Sequence, residues 1–252
     1  LVPQKRAPDE PDIDVVGYLG SSMGVGEAGR AMLRAFSHAG HKVAGLATGL
    51  HSRSPKDDDT RSDDFAERAE SRFRFYAINA DQLPMVTAHL GDRLRPDSYR
   101  IIAPYWELPV FPDAWLHAFD EVEEIWAPTR FIQHALIGKT SKPLIHMPPP
   151  LDFDPPPPMQ RKVFGLPESG FLFFFAFDYL SFIARKNPMA AVAAFRNAFG
   201  HGKWRGKVQL VIKTLNADKA AAASSRLRRM LAEEPGVILI EKTLSRTQTL
   251  GL

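Results

Sequence analysis

Residues 14–50 read DVVGYLGSSMGVGEAGRAMLRAFSHAGHKVAGLATGL, and this stretch decides the fold class. Asp14–Leu19 is a short apolar run ended by Gly20, the pattern of a buried parallel strand. A loop bearing glycines follows. From Glu27 to Ala39 the apolar residues Ala28, Met32, Ala35 and Phe36 recur at helical spacing, and Gly40 stops that helix as a C′ glycine commonly does. His41–Ala47 returns to strand character. Strand, helix and strand within about 35 residues make a βαβ unit, whose crossover is right-handed in nearly all proteins.

The same rhythm continues outward. Phe73–Ile78 and Arg100–Tyr105 read as strands with a helix near Leu83–Leu90 between them. Trp115–Phe119 reads as helical, Glu124–Pro128 as a short strand, and Thr129 is placed to cap a helix over Phe131–Ile137. Leu144–Met147 is the last strand of this half. Residues 51–71, with Asp57, Asp58 and Asp59 and no apolar period, are expected to be an exposed loop.

Composition changes most sharply at 148–158, PPPLDFDPPPP, which holds seven of the 21 prolines and so can be neither helix nor central strand. It reads as a stiff extended connector. Beyond it the strands Phe171–Phe177, Val208–Lys213 and Val237–Ile240 alternate with helices over Asn187–Phe199 and Ala217–Ala232. The fold class is therefore α/β, with two Rossmann-like lobes over residues 13–150 and 160–252. The second lobe is expected to be incomplete, since the chain stops inside the next helix. Its Val237–Ile240 strand is expected to be an apolar edge that invites association.

With 44% hydrophobic and 24% charged residues the composition is that of a globular protein. A net charge of +3 suits an anionic small molecule or an anionic lipid surface but lacks the dense Lys/Arg clustering of a nucleic-acid binder, so no nucleic-acid partner is expected. The absence of cysteine excludes disulfides, thiolate metal sites and cysteine nucleophiles. The first ten residues are polar and begin with Leu, which suggests a fragment, and no signal peptide is visible. The run FLFFFAF at 171–177 is too short to cross a bilayer. A cytoplasmic location is expected, with any membrane contact peripheral at the inner face.

Gly24-Val25-Gly26-Glu27-Ala28-Gly29 is a literal G-x-G-x-x-G between a strand and a helix. Two features oppose a dinucleotide site. Ser21, Ser22 and Met23 separate the first glycine from the strand, and Leu46–Leu50 carries no acidic residue for a ribose. A longer loop opening a helix instead presents bare N–H groups to a phosphate or a sugar. Gly24 and Gly26 are read as points of ligand approach, and Gly29 as a contact that lets helix and sheet pack closely.

Several segments together resemble the family 4 (group 1) glycosyltransferases of bacteria, particularly a mannosyltransferase-like branch acting on surface polysaccharides. The stretches are VVGYLGSSMGVGEAGRAMLRAF at 15–36, YWELPVFPDAW at 105–115, DEVEEIWAPTRFIQHAL at 120–136 and IHMPPPLDF at 145–153. FDYLSFIARKNPMAAVAAFRNAF at 177–199 and LVIKT at 210–214 complete the series.

The resemblance implies the GT-B fold and transfer of a sugar, mannose among the candidates, with retention of configuration. The donor would be a GDP- or UDP-linked sugar held mainly by the second lobe, and the acceptor a glycan or lipid-linked saccharide. No metal and no further cofactor would be needed. Arg185 and Lys186 stand where the family carries phosphate-binding basic residues, and fixed cations meet the charge that develops on a departing diphosphate. Lys213 is either a second phosphate cation or a charged strand end. Glu107 could hydrogen-bond a sugar and Trp106 offer a stacking face, or the two could be a structural carboxylate and a buried aromatic.

Departures from the family pattern accompany the likeness. An Arg that many relatives carry just after the strand is absent from Phe177–Ser181, and Trp106-Glu107 replaces a loop His. The family's paired glutamates would lie past residue 252. The rival readings are a non-catalytic remnant, for which this chain would be inactive alone, and an NAD(P)-dependent oxidoreductase.

Overall fold

The computed structural model describes residues 11–21, 23–50, 62–151, 156–181, 183–199, 204 and 206–252. The apolar run after residue 12 forms β1 (Ile13–Gly17), all five residues of which are buried. It is followed by α1 (Gly24–His38) and β2 (Val43–Ala47). The helix begins three residues earlier than its apolar spacing implies, so Gly24, Val25 and Gly26 make its first turn. Apolar periodicity cannot mark a turn that contains two glycines.

β3 (Phe73–Ala77), α2 (Leu83–Leu90), β4 (Tyr99–Ile102), β5 (Glu124–Ala127), α3 (Arg130–Leu136) and β6 (Leu144–His146) complete the first sheet. Its order is β2-β1-β3-β4-β5-β6 with every pairing parallel. The direction of winding reverses at β1, which has β2 on one side and β3 on the other. In open α/β sheets such a switch point opens a crevice beyond the carboxyl ends of the strands.

Core residues cover both sheet faces. Val16, Tyr76, Ile102 and Ile125 pack with α2 and α3, while Val15, Phe75 and Ile101 pack with Leu33 of α1. Thr129 caps α3 by accepting the Ile132 N–H at 3.2 Å. The segment Asp113–Glu121, expected as a helix around Trp115–Phe119, winds as consecutive 3₁₀ turns.

The expected exposed loop over 51–71 is corrected in its second half; residues 51–61 lie outside the described residues. Phe65 bridges to Gly45, Ala69 is buried, and the Ser71 side chain is buried against Asp14. Hydrogen bonding to β1, to β2 and to the segment around Arg93, rather than apolar periodicity, orders this stretch.

The chain divides into two compact units at Asp154 and Pro155. The described prolines on either side of this point, in 148–150 and 156–158, adopt no regular structure. In the second unit β7 (Phe171–Asp178), α4 (Ile183–Lys186), α5 (Pro188–Phe199), β8 (Val208–Leu215), α6 (Ala221–Leu231), β9 (Val237–Ile240) and α7 (Arg246–Gly251) follow in order. The sheet is parallel, with β8 central in the order β7-β8-β9.

Among the described residues β9 pairs only with β8 and is an apolar edge strand as the sequence suggests, and β7 forms the other edge. β9 is only partly exposed, whereas in β7 Phe171 and Phe174 remain 61% and 51% exposed. Which side chains of β7 stay exposed is invisible in the sequence because nearly every one in the run is apolar.

Candidate functional site

In the first unit the strand ends converge beside the loop between β1 and α1. Arg30, on α1, is fully buried and directs its guanidinium into that loop. Nη1 donates to the carbonyls of Leu19 at 2.7 Å and Ser21 at 3.1 Å. Nη2 donates to Glu27 at 3.0 Å, and the other Glu27 oxygen accepts from Arg34 at 3.1 Å. The loop is thus braced from behind by a charge-assisted network. Arg30 escaped the sequence reading because an arginine in an amphipathic helix reads as solvated.

The two glycines at the start of α1 differ. A Cβ on Gly24 would meet nothing within 4 Å. A Cβ on Gly26 would lie 2.5 Å from the Ser21 carbonyl oxygen and 2.6 Å from that of Tyr18. Packing against the chain's own loop therefore requires glycine at 26, independently of any ligand. Gly29 does what the sequence suggests, since a Cβ there would press on Leu19 at 2.7 Å and Ala77 at 3.1 Å. Met23 occupies the N-cap without a side-chain hydrogen bond, and Glu27 N–H already bonds the Met23 carbonyl. The start of this 15-residue helix carries the positive end of its dipole.

Glu107 lies on the exposed segment after β4. Its neighbour Trp106 is half-buried. The indole packs edge-on against Trp115 at 5.1 Å and Phe111 at 5.6 Å, and Nε1 donates to the Val110 carbonyl at 2.9 Å. A small, mostly apolar cleft nearby is lined by Tyr105, Trp126, Pro128 and Met147 among others.

In the second unit Arg185 and Lys186 end the single turn α4, and Asn187, with φ 47°, breaks the chain before α5. Arg185 is exposed and Lys186 half-buried. Asn187 Oδ1 accepts the Ala190 N–H at 3.2 Å, and Pro188 has no N–H to offer. The start of α5 is therefore partly satisfied already, and Arg185 and Lys186 are the cationic side chains beside it. This capping role of Asn187 was legible only in the structure.

Lys213 is neither at a strand end nor in solvent. β8 runs two residues past it, the side chain is 4% exposed, and Nζ donates to the Thr214 carbonyl at 2.5 Å. Burial pulls its pKa below the usual lysine value, and the charge of Asp178 opposes that pull. Beside it the Tyr179 hydroxyl donates to Glu241 at 3.2 Å, and Arg228 donates to the other Glu241 oxygen at 2.5 Å. Burial first, and then Glu241, push the Tyr179 phenol up to about 12. Among the described residues no three His, Cys, Asp or Glu side chains gather into a set that could hold a metal ion, and no helix is long and apolar enough to cross a membrane.

No family model matches the chain, and no curated protein matches its sequence. Solved structures do resemble it. The lipopolysaccharide outer core galactosyltransferase WaaB, in apo form, is 11% identical with a TM-score of 0.53 over 95% of this chain and 70% of that one. The apo structure of OtsA is 9% identical with a TM-score of 0.58 over 95% and 75% of the two chains. A trehalose 6-phosphate synthase from Burkholderia multivorans is 12% identical with a TM-score of 0.52 over 96% and 74%. The chain shares the α/β fold of these proteins, the GT-B fold, with a Rossmann-like parallel sheet in each of its units.

Proposed function

We propose that this chain acts in glycosyl transfer, moving a sugar from a GDP- or UDP-linked donor to a glycan or lipid-linked acceptor with retention of configuration. Mannose is the donor sugar that the sequence resemblance favours. The reading rests above all on Arg185 and Lys186, which stand together at the carboxyl end of β7 beside a helix whose own amides are partly capped. A departing nucleoside diphosphate accumulates negative charge on its outer phosphate, and fixed cations lower the barrier by meeting that charge without reorganisation.

In this proposal Lys213 adds a third, recessed cation. Gly24 leaves the first amides of α1 open to a phosphate or sugar oxygen, and Glu107 accepts a hydrogen bond from a sugar hydroxyl. The glycosyltransferases of similar fold support the reading at the level of fold.

The test is a panel of GDP- and UDP-linked sugars, offered with glycan and lipid-linked acceptors while nucleoside diphosphate release is followed. One donor is expected to turn over, with the anomeric configuration kept in the product. Lys186→Ala is expected to slow that turnover at least about tenfold, as loss of one transition-state anion donor does. Unchanged turnover in the variant removes the pair from the mechanism, and silence across the panel removes the reading.

A further inference from the structure

We propose that Asp178 is a positioning residue of this phosphate site, fastening the turn that leads into Arg185 and Lys186 to the end of β8. The inference rests on the reading that the second unit binds a nucleoside diphosphate.

β7 and β8 are paired in register as far as Asp178 opposite Leu215, and the Tyr179 N–H bonds the Leu215 carbonyl at 3.1 Å. From there the chain must turn within four residues into α4. Among the described residues no ladder bond guides that turn, and Asp178 does. Its Oδ1 accepts the Leu180 N–H at 2.9 Å, and its backbone carbonyl accepts the Ser181 N–H at 3.0 Å. The same Oδ1 accepts from Asn216 Nδ2 at 2.8 Å. Asn216 is the first residue after β8 and has φ 57°, a left-handed conformation that asparagine tolerates better than most side chains.

One carboxylate oxygen thus joins the starts of two successive strand-to-helix connections. Because the acceptor is ionised, both bonds are stronger than neutral ones. The same charge opposes the downward pull of burial on the Lys213 ammonium. These bonds lie at the carboxyl edge of the sheet, where open α/β folds place their ligands. A reacting group misplaced by an ångström loses much of its effect, so a residue that sets the position of Arg185 and Lys186 bears on binding without touching the ligand.

The experiment measures GDP and UDP binding to the full chain by calorimetry, alongside the thermal midpoint. Three variants are compared with the wild type. Asp178→Ala removes both accepted bonds. Asn216→Gly removes the amide while keeping a residue at ease with φ 57°. Asp178→Asn keeps a carbonyl oxygen able to accept both. Asp178→Ala and Asn216→Gly are expected to weaken nucleotide binding about tenfold or more, and Asp178→Asn to restore it to within about threefold of wild type.

Should Asp178→Ala fail to fold, the other two variants decide the matter. Wild-type affinity in Asn216→Gly overturns the inference, as does an Asp178→Asn variant that folds but binds no better than Asn216→Gly. A folded wild type that binds neither nucleotide overturns the nucleotide reading itself and the inference with it.

Discussion

Asp14, the second residue of β1, accepts two hydrogen bonds from Ser71, 57 residues later in the chain: one from the amide at 2.7 Å and one from the hydroxyl at 2.8 Å. The carboxylate is buried, and burial raises its pKa above 3.8 despite those bonds. A raised pKa in the folded state means a stabilising contribution that is full below 3.8 and is lost as pH rises through the folded value. Asp14→Asn should therefore compare more favourably with wild type at neutral pH than at about pH 4. Urea unfolding at the two pH values checks this; a gap that is constant, or that favours the variant more in acid, contradicts it.

Gly24 and Gly26 should separate cleanly on substitution by alanine. At 26 the added methyl meets two backbone oxygens that cannot swing aside, and a loss of about 2 kcal/mol or more is expected. At 24 the methyl enters open space, so stability should change by no more than about 1 kcal/mol. If the start of α1 approaches a ligand, Gly24→Ala nevertheless slows transfer. Chemical denaturation and turnover measured on the same two proteins distinguish these effects.

Arg30→Met should be among the most damaging substitutions in the first unit. It removes the guanidinium donor from the Leu19 carbonyl, leaves the Ser21 carbonyl to the Met23 N–H, and strips Glu27 of a cation. A cost of about 2–3 kcal/mol is expected, as for taking a charged donor away from a buried carbonyl. Arg30→Lys, which keeps the charge but loses the fork geometry, should fall between. Denaturant midpoints of the three proteins test the order.

Lys213→Met should raise stability and weaken nucleotide binding together. The side chain is buried on the face of β8 shared with Val211, so neutralising it removes a desolvation cost of roughly 1 kcal/mol or more at neutral pH. Its lowered pKa means that wild type regains stability as pH rises from the folded pKa towards 10.5, so the advantage of Lys213→Met should shrink in alkali. A Lys213→Met protein that is stabilised yet binds GDP and UDP normally would show that this lysine is no phosphate ligand.

The alternation of strands and helices was legible in the sequence because buried parallel strands are continuous apolar runs bounded by glycine or proline. Val237–Ile240 appears as a strand with those bounds. Thr129 was legible as a cap because capping needs only a side-chain oxygen three residues before a free amide. Legibility failed where partners are distant in sequence. Ser71 sits in a charged stretch with no apolar period, and only its bonds to Asp14 give it a structural role. The candidate site divides in the same way. Arg185 and Lys186 stand out as an adjacent pair, whereas nothing local distinguishes Asp178 from any aspartate that ends a strand.

By itself, then, the sequence determined an α/β chain in two units, the order of their strands along the chain, and the basic pair beside α5. Those properties depend on side-chain type and on spacing within a few residues. Tertiary structure alone decided that Arg30 points inward to brace the loop before α1, that Gly26 is demanded by packing, that Lys213 is buried, and that Phe171 and Phe174 of β7 stay exposed. Each of these depends on which surface another segment covers. Burial and hydrogen bonding between segments far apart in the chain arise only when the sheets assemble, and no local pattern of residues encodes them.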